Sequence, residues 1–265
     1  MRPELGQQEM TIWSQVCLEL CRQHDVRFSD EMAQKAQKPA KRPTRKRTPT
    51  GKSAPKRRNM RAADRERAIV DEAIRFFAER GFEGQTRELA KRMGITHSAI
   101  YRHFPSKEAL IERVYQEVYL SRWSPDWGPM IRDRSLSLEA RLTRFYLDYV
   151  ERVFEYNWVR IFVFSGMKSF GITGRYLDIV RREIIEPAAA ELRHDLHLPD
   201  AKAHPLSERE TELFWGLHGR IFYLAIRKFI YATPIPSDLD AIVRDAVQTF
   251  MDGAKTTMPK LLARN

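Results

Sequence analysis

The sequence predicts an all-α fold, a small helical head followed by a larger helical body. Three observations predict it. From Arg61 onward, apolar residues recur at three- and four-residue spacing. No stretch alternates with period two, as a half-buried strand would. Helix start and stop residues also recur at the expected places, among them Gly81, Ser106, Ser207 and Ser237. With 265 residues, 43% of them apolar, the chain can bury one large or two ordinary cores.

The first predicted helix covers about 62–80, turns Ile69, Val70, Ala73, Ile74, Phe76 and Phe77 toward a core, and stops at Gly81. Two short helices follow, then a fourth from Ser106, preceded by Pro105. The turn-rich run from Trp123 to Pro129 marks a boundary, so the head is expected over 60–120 and the body over 121–265. In the body, Leu138, Leu142, Phe145 and Tyr149 mark one helix, and Trp158, Ile161, Phe162 and Phe164 lie in the next segment. A long helix from about Thr173 to Leu196 contains Pro187, which should kink or split it. Ser207 and Glu210 form a capping box that opens a helix to about Tyr231, and Ser237 is placed to cap the last one. There is no internal repeat.

Residues 1–59 have a different composition. Ile12, Trp13, Val16, Cys17 and Leu20 fit one face of a short helix, and Cys17, Cys21 and His24 supply three potential metal ligands without a fourth. No metal site and no cofactor is predicted. Between Lys35 and Arg58 stand eleven basic residues, four prolines and no acidic residue. These eleven equal the formal net charge of +11, so the remainder is close to neutral. Such a segment cannot bury enough apolar surface to order itself, which predicts a disordered basic extension, either one that meets a polyanion, nucleic acid or an anionic membrane surface, or one that is simply solvated. Met60 offers a second candidate translation start. Two cysteines exclude a disulfide framework, there is no secretory signal pattern, and no run approaches the ~20 apolar residues of a membrane span. A cytoplasmic protein is expected.

The most informative run is Thr86 to Phe104. Two short helices crossing steeply need a small residue where their backbones meet, and Ala90 supplies it; the turn between them needs positive φ, and Gly94 supplies that. Leu89, Met93, Ile95, Ile100 and Phe104 would bury beneath the pair, and Thr96 would cap the second helix. His97, Ser98, Ala99, Tyr101, Arg102 and His103 are left outward. His, Ser and Arg donate to base edges or phosphates, Ala99 suits a thymine methyl, and Tyr101 can reach a phosphate. The pattern is that of a helix-turn-helix reading double-stranded DNA.

Here the chain resembles the TetR family of bacterial repressors, through Ile69 to Phe82, Thr86 to Gly94 and Ile100 to Leu110, with the hallmark Tyr-x-x-Phe-x-x-Lys as Tyr101, Phe104 and Lys107. The resemblance spans about residues 65–115. It implies a three-helix DNA-binding head, a larger helical ligand-binding and dimerisation body, and a homodimer on a palindromic operator. It also implies that Thr86 touches phosphate, that His97, Ser98 and Ala99 face bases, and that Tyr101, His103 and Lys107 hold the backbone. The chain departs from the family in a loop, Gly81 to Gln85, one residue shorter than usual, and in its long basic extension.

In the body, the helix from Ser207 is apolar on two faces, one with Phe214, Leu217, Ile221 and Leu224, the other with Trp215, His218, Phe222, Ile226 and Phe229. One face would meet the interior and the other a partner copy, with Leu217, Ile221, Val243 and Val247 at the contact. Phe145, Tyr149, Trp158, Phe162, Trp215, His218 and Phe222 are candidates to line a pocket for a small-molecule effector, although an aromatic stripe more often serves as plain core. The expected function is a ligand-responsive transcriptional repressor. No Gly-rich phosphate loop, metal-spaced ligand set or nucleophile elbow supports the alternative of a helical enzyme. A nucleoid- or membrane-associated structural protein using the basic extension is the third reading.

Overall fold

A computed structural model describes residues 61–167 and 171–263. Over these residues the chain is helical and contains no strand. The head is built from α1 (Ala62–Arg80), α2 (Thr86–Arg92), α3 (His97–Tyr101) and α4 (Lys107–Val118). Helix α1 ends as its sequence requires. Gly81 adopts φ 70°, in the left-handed region that favours glycine, and its N–H bonds the Phe77 carbonyl. Three residues on, a Cβ at Gly84 would lie 2.5 Å from the Phe76 ring, so the loop into α2 can close only over glycine. Leu89, Ile100 and Phe104 are buried beneath α2 and α3 with Phe76 and Phe77 of α1. Each such side chain contributes about 1.5–3 kcal/mol.

The body continues through a 3-10 turn (Leu120–Arg122), α5 (Trp127–Arg132), α6 (Leu138–Val153), α7 (Tyr156–Met167), α8 (Ile172–Val180), a π turn (Arg181–Ile185), α9 (Glu186–Asp195), α10 (Glu208–Phe229) and α11 (Leu239–Leu262). The π turn is the form that the expected break at Pro187 takes. Proline has no N–H to give the carbonyl four residues back, and its ring collides with that carbonyl; one wider turn before Pro187 relieves both. The capping box at Ser207 and Glu210 forms as expected. The cap of α11 does not. Asp238, not Ser237, takes that position and accepts from the Ala241 N–H at 2.9 Å.

The described residues form one unit with a continuous core. The turn-rich run at Trp123 to Pro129 is tied into that core by fully buried Trp127, whose indole N–H donates to Asp148 at 2.6 Å. Helix α10 packs between α11, α9 and α7, α6 packs on α11, and α1 packs on α7. This packing corrects the expected dimer contact. Leu217, Ile221, Val243 and Val247 are at most 2% exposed within a single chain, because α10 and α11 spend these faces on each other and the protomer core. Exposed on the middle of α10 are instead Glu212, Gly216, Gly219, Arg220 and Tyr223. No described helix is long and apolar enough to cross a membrane. Cys17, Cys21, His24 and the basic extension lie outside the described residues.

Candidate nucleic-acid interface

Helices α2 and α3 meet through a closed turn. The Met93 N–H bonds the Leu89 carbonyl, Gly94 bonds Lys91, and Ile95 bonds Ala90 at 3.0 Å. Gly94 sits at φ 65°, and a Cβ there would touch nothing, so its role is conformational rather than steric. Ala90 is buried, as expected of the crossing point. Arg92 anchors the end of α2 to α1 through both oxygens of Glu79, at 2.6 and 2.9 Å, and through Glu72. The Arg92 hydrogen bond holds the Glu79 carboxyl below its ordinary value. These groups are substantially exposed, so the pair fixes orientation more than it adds stability.

A polar link joins the two helices. Thr86 Oγ1 lies 2.8 Å from His97 Nε2 and 3.1 Å from the Tyr101 hydroxyl. The His97 and Tyr101 rings meet edge-on at 4.8 Å. Thr86, only 7% exposed, thus sits behind the two aromatic residues and holds them, rather than reaching outward to a phosphate. Ala99 is 4% exposed and does not present its methyl to solvent. In a helix of five residues, periodicity cannot tell the inward side from the outward one.

What α3 does present is polar and free of carboxylates. Thr96, Ser98 and Arg102 are exposed, while His97, Tyr101, His103 and Lys107 are half-buried. Thr96 makes no capping bond; its hydroxyl meets that of Ser98 at 3.1 Å. Lys107 is set in the first turn of α4, which Ser106 caps by accepting from the Ala109 N–H at 3.1 Å. Arg102 and Lys107 form no ion pair with a described residue, and neither do Arg87 and Lys91 on the exposed side of α2. The last two were not singled out from the sequence, although they flank Thr86 and Ala90. The surface offers hydroxyl and imidazole groups for base edges and unpaired cations for phosphates.

The seven candidate effector residues fall into two packets. Phe145 and Tyr149 pack on Trp127, and Tyr149 reaches His218 of α10, which in turn meets Trp215. Trp158, Phe162 and Phe222 form the other. Phe145, Tyr149, Trp158 and His218 are buried; Phe162, Trp215 and Phe222 are half-buried. Burial pushes the His218 imidazole down to about 4, so the ring is neutral at pH 7. Trp215 also lines a surface cleft of about 1370 Å³ whose walls carry Arg132, Arg134, Arg181 and Glu212. Tyr119 and Tyr176, which sequence reasoning passed over, complete the second packet.

The fold and this interface define a DNA-binding regulator of the helix-turn-helix class. Residues 69–114 match the family model described as bacterial regulatory proteins, tetR family, so the chain carries the DNA-binding region of that family. Solved structures similar to the chain include the following three. A protein from Mesorhizobium loti assigned to the TetR family is 14% identical, covers 73% of this chain and 98% of its own, and gives a TM-score of 0.47. A TetR family transcriptional regulator from Pseudomonas syringae pv. tomato is 20% identical, with coverage of 71% and 96% and a TM-score of 0.47. A TetR transcriptional regulator from Rhodococcus sp. is 19% identical, with coverage of 72% and 97% and a TM-score of 0.38. No curated protein matches the chain.

Proposed function

We propose that the protein is a homodimeric repressor that leaves a palindromic operator when its body binds an apolar or amphipathic small molecule. The observation that carries this reading is the acid-free surface of α3, held in register by the Thr86 hydroxyl, within a head that matches the tetR-family model. Thr96, His97 and Ser98 read bases, and Tyr101, Arg102, His103 and Lys107 hold phosphates. The ligand acts by binding better to a conformation whose two recognition helices are wrongly spaced for successive major grooves. The protein does no chemistry of its own in this reading and works in the cytoplasm.

Support for a dimer comes from the outward sides of the last two helices. Gly216 and Gly219 of α10 and Gly253 of α11 are exposed, and a Cβ at any of them would meet nothing within 4 Å among the described residues. Glycine inside a helix costs roughly 0.5–1 kcal/mol against alanine. Nothing among the described residues offsets that, whereas a second copy could pack its backbone closely against these positions.

Selection of bound sites from random DNA, followed by gel shifts on the selected and a scrambled duplex, tests the reading. A palindromic consensus with a large preference over the scramble supports it. Equal binding to both would favour a nucleoid or membrane-associated role for the basic extension.

A further inference from the structure

Thr86, His97 and Tyr101 have few protons to share. Thr86 Oγ1 lies 2.8 Å from His97 Nε2 and 3.1 Å from the Tyr101 hydroxyl, both within hydrogen-bond reach. Each hydroxyl has one proton to donate and lone pairs that accept, and a neutral imidazole has one N–H and one bare nitrogen. In the protein alone the two bonds can run in either direction. A phosphate oxygen at Tyr101 removes that freedom. A phosphodiester only accepts, so Tyr101 must give it its proton. The bond between the hydroxyls then runs from Thr86 to Tyr101, and the single Thr86 proton is committed. Two bare acceptors would face each other at 2.8 Å unless His97 Nε2 carries its proton and donates to Thr86 Oγ1. The neutral, half-buried ring is left with Nδ1 as an acceptor.

We infer that DNA itself sets the tautomer of His97 through Thr86, and that His97 Nδ1 reads the exocyclic amino group of an adenine or a cytosine on the strand it faces. The inference rests on the base and phosphate roles given above and adds the base class. In the major groove adenine offers its N6 amino group and cytosine its N4 amino group as donors. Guanine offers only the N7 and O6 acceptors there, and thymine the O4 acceptor with its methyl group. His97 therefore rejects guanine and thymine by setting acceptor against acceptor. Its neighbours on α3 cannot take over this task. Thr96 and Ser98 carry hydroxyls, 3.1 Å from each other, that turn to donate or accept, and the Arg102 guanidinium only donates. No carboxylate stands between Thr96 and Arg102 to supply another fixed acceptor.

The test is site selection from random DNA at pH 8, where an imidazole is neutral, with the full chain and with its His97→Ala variant. The position that His97 reads is the one whose preference the variant loses, and it should be adenine or cytosine. The selected duplex is then rebuilt with that base lacking its amino group, purine for adenine or 2-pyrimidinone for cytosine. The wild type should bind it about fivefold to tenfold more weakly, the share of one hydrogen bond, while His97→Ala should bind both duplexes equally. Thr86→Val removes the hydroxyl and frees the tautomer, so it should bring guanine at that position to within about threefold of the selected base. Thr86→Ser, which keeps the hydroxyl, should restore the discrimination. Guanine or thymine as the selected base, indifference to loss of the amino group, or an unchanged preference in Thr86→Val overturns the inference. So does a His97→Ala consensus identical to that of the wild type. Each of these leaves sequence-specific DNA binding standing, because the rest of the consensus remains. A wild type that selects no consensus at all removes that reading, and the inference with it.

Discussion

The guanidinium Nε of Arg160 donates to the backbone carbonyl of Ala78 at 2.6 Å, joining α7 of the body to the last turn of α1 in the head. The guanidinium is held over the rings of Tyr156 and Phe164, 5.2 and 5.1 Å from their centroids, and Phe164 also packs against Gly81, where α1 stops. One side of α7 therefore grips the head while another side carries Trp158, Phe162 and Ser165. A shift of α7 on ligand binding would move the anchor of α1 directly.

Replacing Arg160 by Leu keeps much of the stem and removes the donor. We expect a loss of about 1–3 kcal/mol in stability, from an unpaired carbonyl and a lost charged donor. Faster amide exchange should be confined to residues near 76–84, with α10 and α11 unaffected. Exchange that stays unchanged at Phe77 to Gly81 would show that the contact does not hold the head.

Thr86 gives a second test, because it is placed to position rather than to touch DNA. Thr86→Val is nearly isosteric and removes the hydroxyl shared by His97 and Tyr101. Operator affinity should fall by about 1–2 kcal/mol and the preferred bases should blur, since His97 is released from its orientation. Tyr101→Phe should weaken binding to all sequences alike, and His97→Ala or Ser98→Ala should change base preference at about 1–3 kcal/mol per contact. Site selection with each variant separates these outcomes. A Thr86→Val protein with wild-type preferences would return Thr86 to a merely local role.

The parts legible in the sequence are those set by neighbours along the chain. Ala90 and Gly94 announce the turn, Gly81 the end of α1, and the Ser207–Glu210 box the start of α10, because each acts within one helical turn. Contacts that depend on distant segments leave no local mark. Arg193 and Glu210 are 17 residues apart and joined at 2.6 Å, and Tyr119, Trp158 and Tyr176 come from the turn after α4, from α7 and from α8. Burial is ambiguous in another way. Leu217 and Val243 repeat at helical spacing whether another helix of the same chain or a second copy covers them, so their place in the protomer core was not readable.

The Arg193–Glu210 pair makes stability depend on pH. Both side chains are at most 1% exposed, and Arg193 also donates to the carbonyls of Pro199, His204 and Pro205, stapling the loop before α10. Burial opposes ionisation of Glu210, but the bonds from Arg193 and Ser207 outweigh it and hold the carboxyl below its ordinary value. A depressed carboxylate contributes stability that is present above its unfolded value and lost as pH falls through the folded one, so the loss should begin below about pH 5. Glu210→Gln should cost about 3–5 kcal/mol at pH 7, leaving Arg193 buried without its counter-charge, and should flatten the acid limb of the stability curve. Urea unfolding at several pH values checks it. Parallel curves for the two proteins would contradict the assignment.

The proposed dimer face is tested by separating it from the core. Gly219→Glu and Tyr223→Glu alter exposed positions of α10 and should yield folded monomers with weakened operator binding. Leu217→Glu, by contrast, places a charge in the protomer core and should unfold the body. Sedimentation at micromolar concentration and circular dichroism distinguish the cases. A folded dimer that survives both outward substitutions would place the interface elsewhere.

The basic extension makes the last prediction, and charge alone carries it. If the eleven cations between Lys35 and Arg58 engage the duplex, each that neutralises a phosphate releases condensed counterion and steepens the fall of affinity with salt. The contribution to the log–log slope is about −0.9 per contact, so four engaged residues would steepen it by roughly 3.6. Removing residues 1–59 should therefore weaken operator and non-specific binding together and flatten the salt dependence. The preferred sequence should stay the same, because contacts to phosphates carry no base information. The measurement is a gel-shift or anisotropy titration of both proteins on operator and scrambled duplex across a range of salt. Identical slopes would take the extension out of DNA binding altogether. A changed consensus would mean instead that part of it reads bases, and that the eleven cations are more than a backbone contact.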